Sequence, residues 1–535
     1  MLKITIDGRV LEVPEGKTII QAALENGIHI PHYCYHPDLT IDGNCRMCLV
    51  EVEGNPKLPI ACATPVANGM VVHTTTEKVK KAQESVMEFL LINHPIDCPI
   101  CDQAGECGLQ DYYMNHGLHN SRIGLREKVL KRKVIDLGEM IVLDTERCIL
   151  CSRCVRFFNE VTGTGELQFF KRGDRTEIGT FNDKSIDNPY SGNVVDICPV
   201  GALTSKDFRF KQRVWFLKGT KSVCPTCSTG CNIRIDHNKS IVYRLVPRRN
   251  PEVNKSWMCD KGRMAYPLIN SKNRLPYPMV QNGGTLKPAP WEEALDRVVN
   301  GLKQIKEKYG TDAIAGIASP QGTNEDLFLF KKWMRVGIGT EHIDFRVNGE
   351  EKKVREMEDK ILRRKDPNPN TRGAIALDLF PKDGGLDTKG ILTTAKEGKI
   401  KGLYLQRPLD HFPEKTLLKE ALEKVEFVVM HATHNLEGLK SGTVILPACT
   451  YAEKDGTFTN FEDRVQKIHM AFSPIGESRP DWEVFRDLLK AFGVDLPFSS
   501  AREVFTRMAN EEKAFHGLTL EGVGDLGKKL VYGKS

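Results

Sequence analysis

Fifteen of the sixteen cysteines fall before residue 260, and with one histidine they divide into runs that leave none over. The first run is Cys34, Cys45, Cys48 and Cys62, and the second is His94, Cys98, Cys101 and Cys107. The third is Cys148, Cys151, Cys154 and Cys198, and the fourth Cys224, Cys227, Cys231 and Cys259. Each run holds four ligands, the number that a [2Fe–2S] or a [4Fe–4S] cluster takes. Runs of this kind fold as loops that bring thiols together, and they suit a chain that moves electrons.

Zinc is the competing reading of any paired cysteines, and structural zinc usually takes two ligand pairs far apart. The third run departs from that. Its first three cysteines stand two residues apart, wrapping three corners of a cube, and the remote Cys198-Pro199 supplies the fourth. A two-cluster bacterial ferredoxin would place another cysteine where Phe158 stands, so one [4Fe–4S] cluster is expected here. The first run, with its long gap between Cys34 and Cys45, matches neither cuboidal nor zinc spacing; a β-rich surround favours [2Fe–2S]. The fourth run, taken alone, stays open to zinc. In the second run a lone histidine would usually be incidental. Cys98, Cys101 and Cys107 lack a fourth partner, however, and His94 stands beside them. An imidazole in place of a thiolate removes one negative charge and so moves the reduction potential. Cys449 has no partner and reads as a buried structural thiol.

At 535 residues the chain should form several domains. No apolar stretch approaches the ~18 residues of a membrane span, and the N-terminus has no signal pattern. Clustered CxxC runs without a secretory signal point to metal in a reducing compartment, hence the cytoplasm. The net charge of +6 gives nucleic-acid binding no electrostatic support.

Around Asp7-Gly8-Arg9, Lys3–Asp7 and Val10–Val13 alternate as a hairpin. Thr18 with Gln21 opens a short helix that Gly27 closes. Glu77–Asn93 reads as a helix with Val79, Ala82, Val86, Phe89 and Leu90 on its apolar face, ended by Pro95. Arg122–Lys133 is a basic connector, either a solvated surface segment or a contact for an acidic partner. Beyond Leu275, the strand-like runs are Ala313–Ala318, Gly402–Leu405, Phe427–His431 and Thr443–Leu446. They alternate with helical stretches at Trp291–Lys308, Glu325–Val336 and Lys415–Lys424, as in a layered α/β domain. No GxGxxG unit is present, since Gln168 falls where the third glycine after Gly163-Thr164-Gly165 would stand, and no phosphate loop is found.

With these residues assembled, the chain resembles the 75 kDa (G) subunit family of the proton-pumping NADH:quinone oxidoreductase, respiratory complex I. The likeness spans Met1 to about Arg274. It rests on the four ligand sets, on Cys148-Ile-Leu-Cys-Ser-Arg-Cys-Val-Arg-Phe157, on Arg172-Gly-Asp-Arg-Thr-Glu-Ile-Gly179 and on His94-Pro-Ile-Asp-Cys98. More weakly, Trp291-Glu-Glu-Ala-Leu295, Ser319-Pro-Gln-Gly-Thr-Asn-Glu325 and Leu446–Gln466 resemble molybdopterin oxidoreductases. The charged segment Asn348–Asn370 stands where those enzymes continue into a long middle region, and the pattern resumes at Thr371-Arg-Gly-Ala374. A shortened domain without molybdopterin is therefore expected.

The resemblance implies a multidomain α+β and α/β chain. Residues 1–78 would be a [2Fe–2S] ferredoxin-like (β-grasp) domain and 79–120 the histidine-plus-three-cysteine [4Fe–4S] domain. A [4Fe–4S] ferredoxin-like domain would cover 136–213 and a molybdoenzyme-type [4Fe–4S] domain 214–274. A degenerate molybdopterin-oxidoreductase-like α/β domain would fill 275–535. It also implies an electron relay with no catalytic residue of its own, a subunit rather than a complete enzyme, in the peripheral arm on the cytoplasmic side of the inner membrane. Its expected partners are the flavin-bearing NADH-binding subunit, the [2Fe–2S] thioredoxin-like subunit, the ferredoxin-like 8Fe subunit and other peripheral-arm subunits. Membrane contact would come only through the complex. Of the rival classes, a molybdenum enzyme such as an NAD-linked formate dehydrogenase needs the missing middle region. An iron-only hydrogenase needs further cysteines after Cys259, where only Cys449 follows. A zinc-stapled scaffold without redox function is the plain alternative.

Overall fold

The computed structural model describes residues 1–345, 354–407, 415–435 and 443–531. Two compact units divide it, Met1–Leu217 and Lys218–Ser535.

The first unit begins with strands Leu2–Ile6 and Arg9–Val13, paired antiparallel with Ile4 opposite Leu11. Both residues of the connecting turn, Asp7 and Gly8, have positive φ (47° and 77°), the combination that a two-residue hairpin turn demands. Inward alternation puts Ile4, Ile6, Leu11 and Val13 in a core with Ile19, Ile20, Ala22 and Ala23 of the helix Ile19–Glu25. Each such aliphatic side chain contributes about 1.5–3 kcal/mol by leaving water. The Gln21 side chain accepts the Thr18 N–H at 2.9 Å, while the Thr18 hydroxyl is buried without a hydrogen bond, so one arm of the capping box carries the start. Strands Val71–His73 and Glu51–Val52 complete a mixed four-stranded sheet.

The helix that follows spans Glu77–Leu91, with the Thr76 hydroxyl accepting the Val79 N–H. Its buried stripe is Val79, Gln83 and Met87, at i, i+4 spacing. Phe89, expected on the apolar face, lies off that stripe and is 75% exposed. The basic segment after it is tied into its own chain rather than merely solvated. Arg122 pairs with Glu88, Arg132 with Asp183, and Lys133 with Glu146 at 2.7 Å, while Lys128 donates to the His94 carbonyl at 2.5 Å.

In the second unit a three-stranded antiparallel sheet (Lys218–Val223, Asn232–Asn238, Ile241–Pro247) leads into a larger one. Among the described residues the larger sheet has seven strands. In spatial order they are Thr285–Pro288, Met279–Asn282, Val444–Pro447, Phe427–Ala432, Gly402–Gln406, Ile314–Ala318 and Ile343–Phe345. The last five run parallel, and the two at the other edge are antiparallel. The strands Ile314–Ala318, Gly402–Gln406 and Phe427–Ala432 are buried at every position, as expected where helices cover both faces of a parallel sheet. The expected α/β alternation is present, with helices Trp291–Tyr309, Asn324–Lys332 and Lys415–Leu422. The stretch expected as one helix to Val336 changes to a π-helical turn over Trp333–Ile338. The charged segment Asn348–Asn370 lies partly outside the described residues.

Candidate metal centres

Cys34, Cys45 and Cys48 sit in the loop between the helix Ile19–Glu25 and the strand Glu51–Val52, and Cys62 in the connection from that strand to Val71–His73. Cys34, Cys48 and Cys62 are buried in the core of that sheet domain or beside it. The Cys34 N–H donates to the Cys45 sulfur at 3.4 Å. The four thiols hydrogen-bond one another, through Cys34 with Cys45 and Cys62 and through Cys48 with Cys62. These bonds hold Cys34 and Cys48 below the usual thiol range and push Cys45 and Cys62 above it. Three buried cysteines and a half-buried fourth, sharing too few neutral hydrogen-bond partners, are a donor set that calls for metal.

The second run follows the helix Glu77–Leu91. A tight turn Cys98–Ile100 closes with the Cys101 N–H on the Cys98 carbonyl, and Cys107 stands at the N-terminus of the helix Gly108–His116. His94 Nδ1 is buried and has no hydrogen-bond partner. Burial lowers its pKa to about 4, with Lys128, Arg147 and Lys133 acting in the same direction. The ring is therefore neutral at physiological pH, the form that ligates metal. Two of the basic groups around it are themselves paired: Arg147 makes a two-pronged bond to Asp97, at 3.0 and 2.6 Å, and Lys133 pairs with Glu146 at 2.7 Å. Gly201 approaches so closely that a Cβ there would lie 2.3 Å from the Cys101 sulfur.

Among the described residues, no three His, Cys, Asp or Glu side chains close to the spacing of a single bound ion. What the third and fourth runs frame are voids. Cys148, Cys151, Cys154 and Cys198 line a small cavity of about 20 Å³ whose remaining wall is largely aliphatic, including Ile149, Ile178 and Leu203. Leu150 and Ser152 have positive φ (54° and 63°), which curls the CxxCxxC backbone around that space. Burial pushes Cys148 and Cys198 up to about 12 and Cys154 well above its ordinary value, so without a cation these sulfurs stay protonated. Phe158 is fully buried where a second cluster's cysteine would stand.

Cys224, Cys227, Cys231 and Cys259 line a comparably small cavity of about 10 Å³ beside the first strand of the antiparallel sheet. The Cys224 N–H donates to the Cys231 carbonyl at 2.8 Å. Burial raises Cys224 to about 12 and Cys259 to about 11. A Cβ on Gly262 would come within 2.9 Å of the Cys224 sulfur. Leu362 and Arg363, which sequence reading does not single out, close the cavity. An orphaned imidazole, voids ringed by four desolvated thiols and glycines against sulfur all fit iron–sulfur groups. The members of the first run thus interact with one another, and those of the third and of the fourth each line one cavity.

Sequence reading misses the link between runs. Cys34 and Cys45 of the first, Cys107 of the second, and Cys148, Cys151 and Cys198 of the third belong to one apolar cluster with Tyr33, Met47, Met87 and Leu109. Cys449 is buried, as expected.

The large sheet has a switch point between Ile314–Ala318 and Gly402–Gln406, and a doubly wound fold receives ligands at the strand carboxyl ends there. This chain fills the place with its own side chains. Gln406 accepts from the Ser319 N–H at 3.0 Å and donates to Asp481 at 2.8 Å. Asp481 also binds His431 at 3.0 Å, and Lys454 bonds Asp326 at 2.5 Å. These side chains do not fit a bound pterin.

Ferredoxin-like loops with cluster-ligand spacing on a layered α/β scaffold define an iron–sulfur oxidoreductase component. Family comparisons divide the chain accordingly. Residues 1–77 match a 2Fe-2S iron-sulfur cluster binding domain, and 83–122 match the NADH-ubiquinone oxidoreductase-G iron-sulfur binding region. Residues 138–204 match the NADH-quinone oxidoreductase subunit 3 ferredoxin-like domain, and 217–267 the NDSU1/NuoG-like 4Fe-4S domain. Residues 274–356 and 370–491 match molybdopterin oxidoreductase. The NADH-quinone oxidoreductase G subunit of Rickettsia felis is 33% identical, over 96% of this chain and 91% of its own. The mitochondrial NADH-ubiquinone oxidoreductase 78 kDa subunit of Candida albicans is 34% identical, over 95% and 85%. The 75 kDa subunit of Reclinomonas americana is 31% identical, over 95% and 90%. The chain belongs to the family of the 75 kDa, or G, subunit of NADH-quinone oxidoreductase.

Proposed function

We propose that the chain relays electrons in the peripheral arm of complex I, from the flavin-bearing NADH-oxidising subunit toward quinone. The observation that carries this is the shared apolar cluster in which ligands of the first three runs meet. In this reading Cys34, Cys45, Cys48 and Cys62 hold a [2Fe–2S] cluster. Three [4Fe–4S] clusters are held by His94 with Cys98, Cys101 and Cys107, by Cys148, Cys151, Cys154 and Cys198, and by Cys224, Cys227, Cys231 and Cys259. The five modules are those set out from the sequence.

Bound clusters supply one-electron chemistry. The residues of the chain fix the ligands, exclude water and set the local charge: Tyr33, Met47 and Leu109 keep the space between runs apolar, and Arg147 with Asp97 braces the turn at His94. The flavin subunit, the [2Fe–2S] thioredoxin-like subunit and the ferredoxin-like 8Fe subunit are its partners, at the cytoplasmic face of the inner membrane. Among the described residues no helix is long and apolar enough to cross a membrane. Membrane contact, in this reading, comes through the complex. The purified chain alone should not oxidise NADH.

Iron and sulfide counts with electron paramagnetic resonance on the anaerobically purified chain test this. About fourteen irons, as many sulfides and no zinc are expected. Stoichiometric zinc, or about ten irons, would show that one run is misassigned. NADH-driven dye reduction by the chain alone would place it among catalytic enzymes instead.

A further inference from the structure

The short helix Arg153–Arg156 begins inside the third run and carries an arginine at each end. Arg153 reaches across the unit and donates to the carbonyls of Ile197, at 3.1 Å, and Tyr35, at 2.6 Å. These acceptors adjoin Cys198 and Cys34, ligands of the third and first runs. Its Nε is buried with no partner. Arg156 donates to the carbonyls of Cys34 and Thr40, and to the Ser152 hydroxyl, which is itself bonded to Asp42 at 2.5 Å.

Among the described residues, Arg153 has no carboxylate in ion-pair range, in contrast to Arg147 beside the second run, which Asp97 neutralises. The opposite charges that Arg153 faces are the sulfurs of Cys151, Cys198 and Cys34. A buried cation with only neutral hydrogen-bond acceptors is costly unless an anion stands close by. Thiolate-ligated clusters are anions of that kind, and reduction adds one more negative charge to each.

We propose that Arg153 is the shared counter-charge of the first and third metal centres, holding the reduction potentials of both above the values that their ligands alone would give. The inference rests on the ligand assignment proposed above. One guanidinium then biases both centres in the same direction.

Potentiometric titration of the cluster-bearing chain, followed by electron paramagnetic resonance, tests this with Arg153→Gln and Arg153→Lys. Charge removal in Arg153→Gln should lower the midpoints of the Cys34 and Cys148 clusters together. The His94 and Cys224 clusters should stay where they are, and Arg153→Lys should return both midpoints toward the starting values. Unmoved midpoints in Arg153→Gln, or an equal fall in Arg153→Lys, overturn the counter-charge role. If Arg153→Gln loses clusters, Arg153→Met replaces the cation with an apolar chain that needs no partner, and its midpoints should fall likewise. Loss of the first and third clusters alone in both neutral variants, with retention in Arg153→Lys, supports the inference; loss in all three overturns it. An unsubstituted chain lacking the two signals would overturn the ligand assignment itself, a failure distinguishable from the others.

Discussion

The backbone N–H of Gly108, next to Cys107, donates to the carbonyl of Pro199, next to Cys198, at 2.9 Å. The peptide bonds flanking the last ligands of the second and third runs are thus joined directly. Two residues further on, Gly201 lies against Cys101. The segment Cys198–Gly201 is one connection between the two sites, and the Arg147–Asp97 pair is another.

Gly201→Ala should damage the second site selectively. Its Cβ would fall 2.3 Å from the Cys101 sulfur, so the ligand must move. Overpacking of this kind costs about 1–3 kcal/mol. The expected result is loss or broadening of the His94 cluster signal in paramagnetic resonance with the Cys34 signal retained; an unchanged spectrum would refute the close approach.

His94→Cys should retain a cluster at the second site with a lower midpoint potential, since a thiolate adds negative charge where the neutral ring stood. His94→Ala should weaken or abolish that cluster alone. If neither variant alters the spectrum, the imidazole is a bystander.

Lys454→Met should destabilise the second unit strongly. Lys454 bonds Asp326 at 2.5 Å and approaches Asp481 at 3.8 Å, all three essentially without solvent exposure. Removing one partner of a buried pair costs about 3–5 kcal/mol. The double variant Lys454→Met with Asp326→Leu should recover part of that loss in thermal unfolding. No recovery would mean that packing, not uncompensated charge, sets the cost.

Stability of the second unit should fall between mildly acidic and neutral pH through Glu325. This fully buried carboxyl accepts the N–H and hydroxyl of Thr457, each at 2.9 Å. Desolvation nonetheless raises its pKa from 4.5 to about 7. Between those values the folded chain keeps the proton and the unfolded chain releases it, so stability declines with rising pH, by on the order of 3 kcal/mol in total. Glu325→Gln should flatten the part of this dependence between about pH 4.5 and 7 in chemical denaturation. An unaltered slope would assign the dependence to another group.

Much of this is legible in the sequence because ligand spacing is local chemistry. Cys148 to Cys154 fix a curled loop wherever they occur, and Asp7-Gly8 specifies its own turn. The parallel strands are readable as uninterrupted apolar runs such as Phe427–Met430. Phe89 departs from expectation because a helical stripe is chosen by what packs against it, and Met87 and Gln83 face the core instead. The ties of the basic segment are hidden because its acids, Glu88, Glu146 and Asp183, lie outside it in sequence. Arg153 and Arg156 are visible in Cys-Ser-Arg-Cys-Val-Arg, yet nothing local reveals that they reach Tyr35 and Cys34 more than a hundred residues earlier.

The apolar cluster joining the first three runs bears on how the chain is completed during synthesis. Cys34 emerges early, but the surroundings that shelter it include Val200 and Ala202. The first site therefore cannot reach its final enclosure until the ribosome has passed the last ligand of the third. Iron delivered before that point would meet an open, water-exposed loop, whereas later delivery has to precede closure of the shared core. On the proposed ligand assignment, maturation of the three sites would be coupled, and a lesion at Cys198 would endanger the assembly of a centre whose own ligands are all intact.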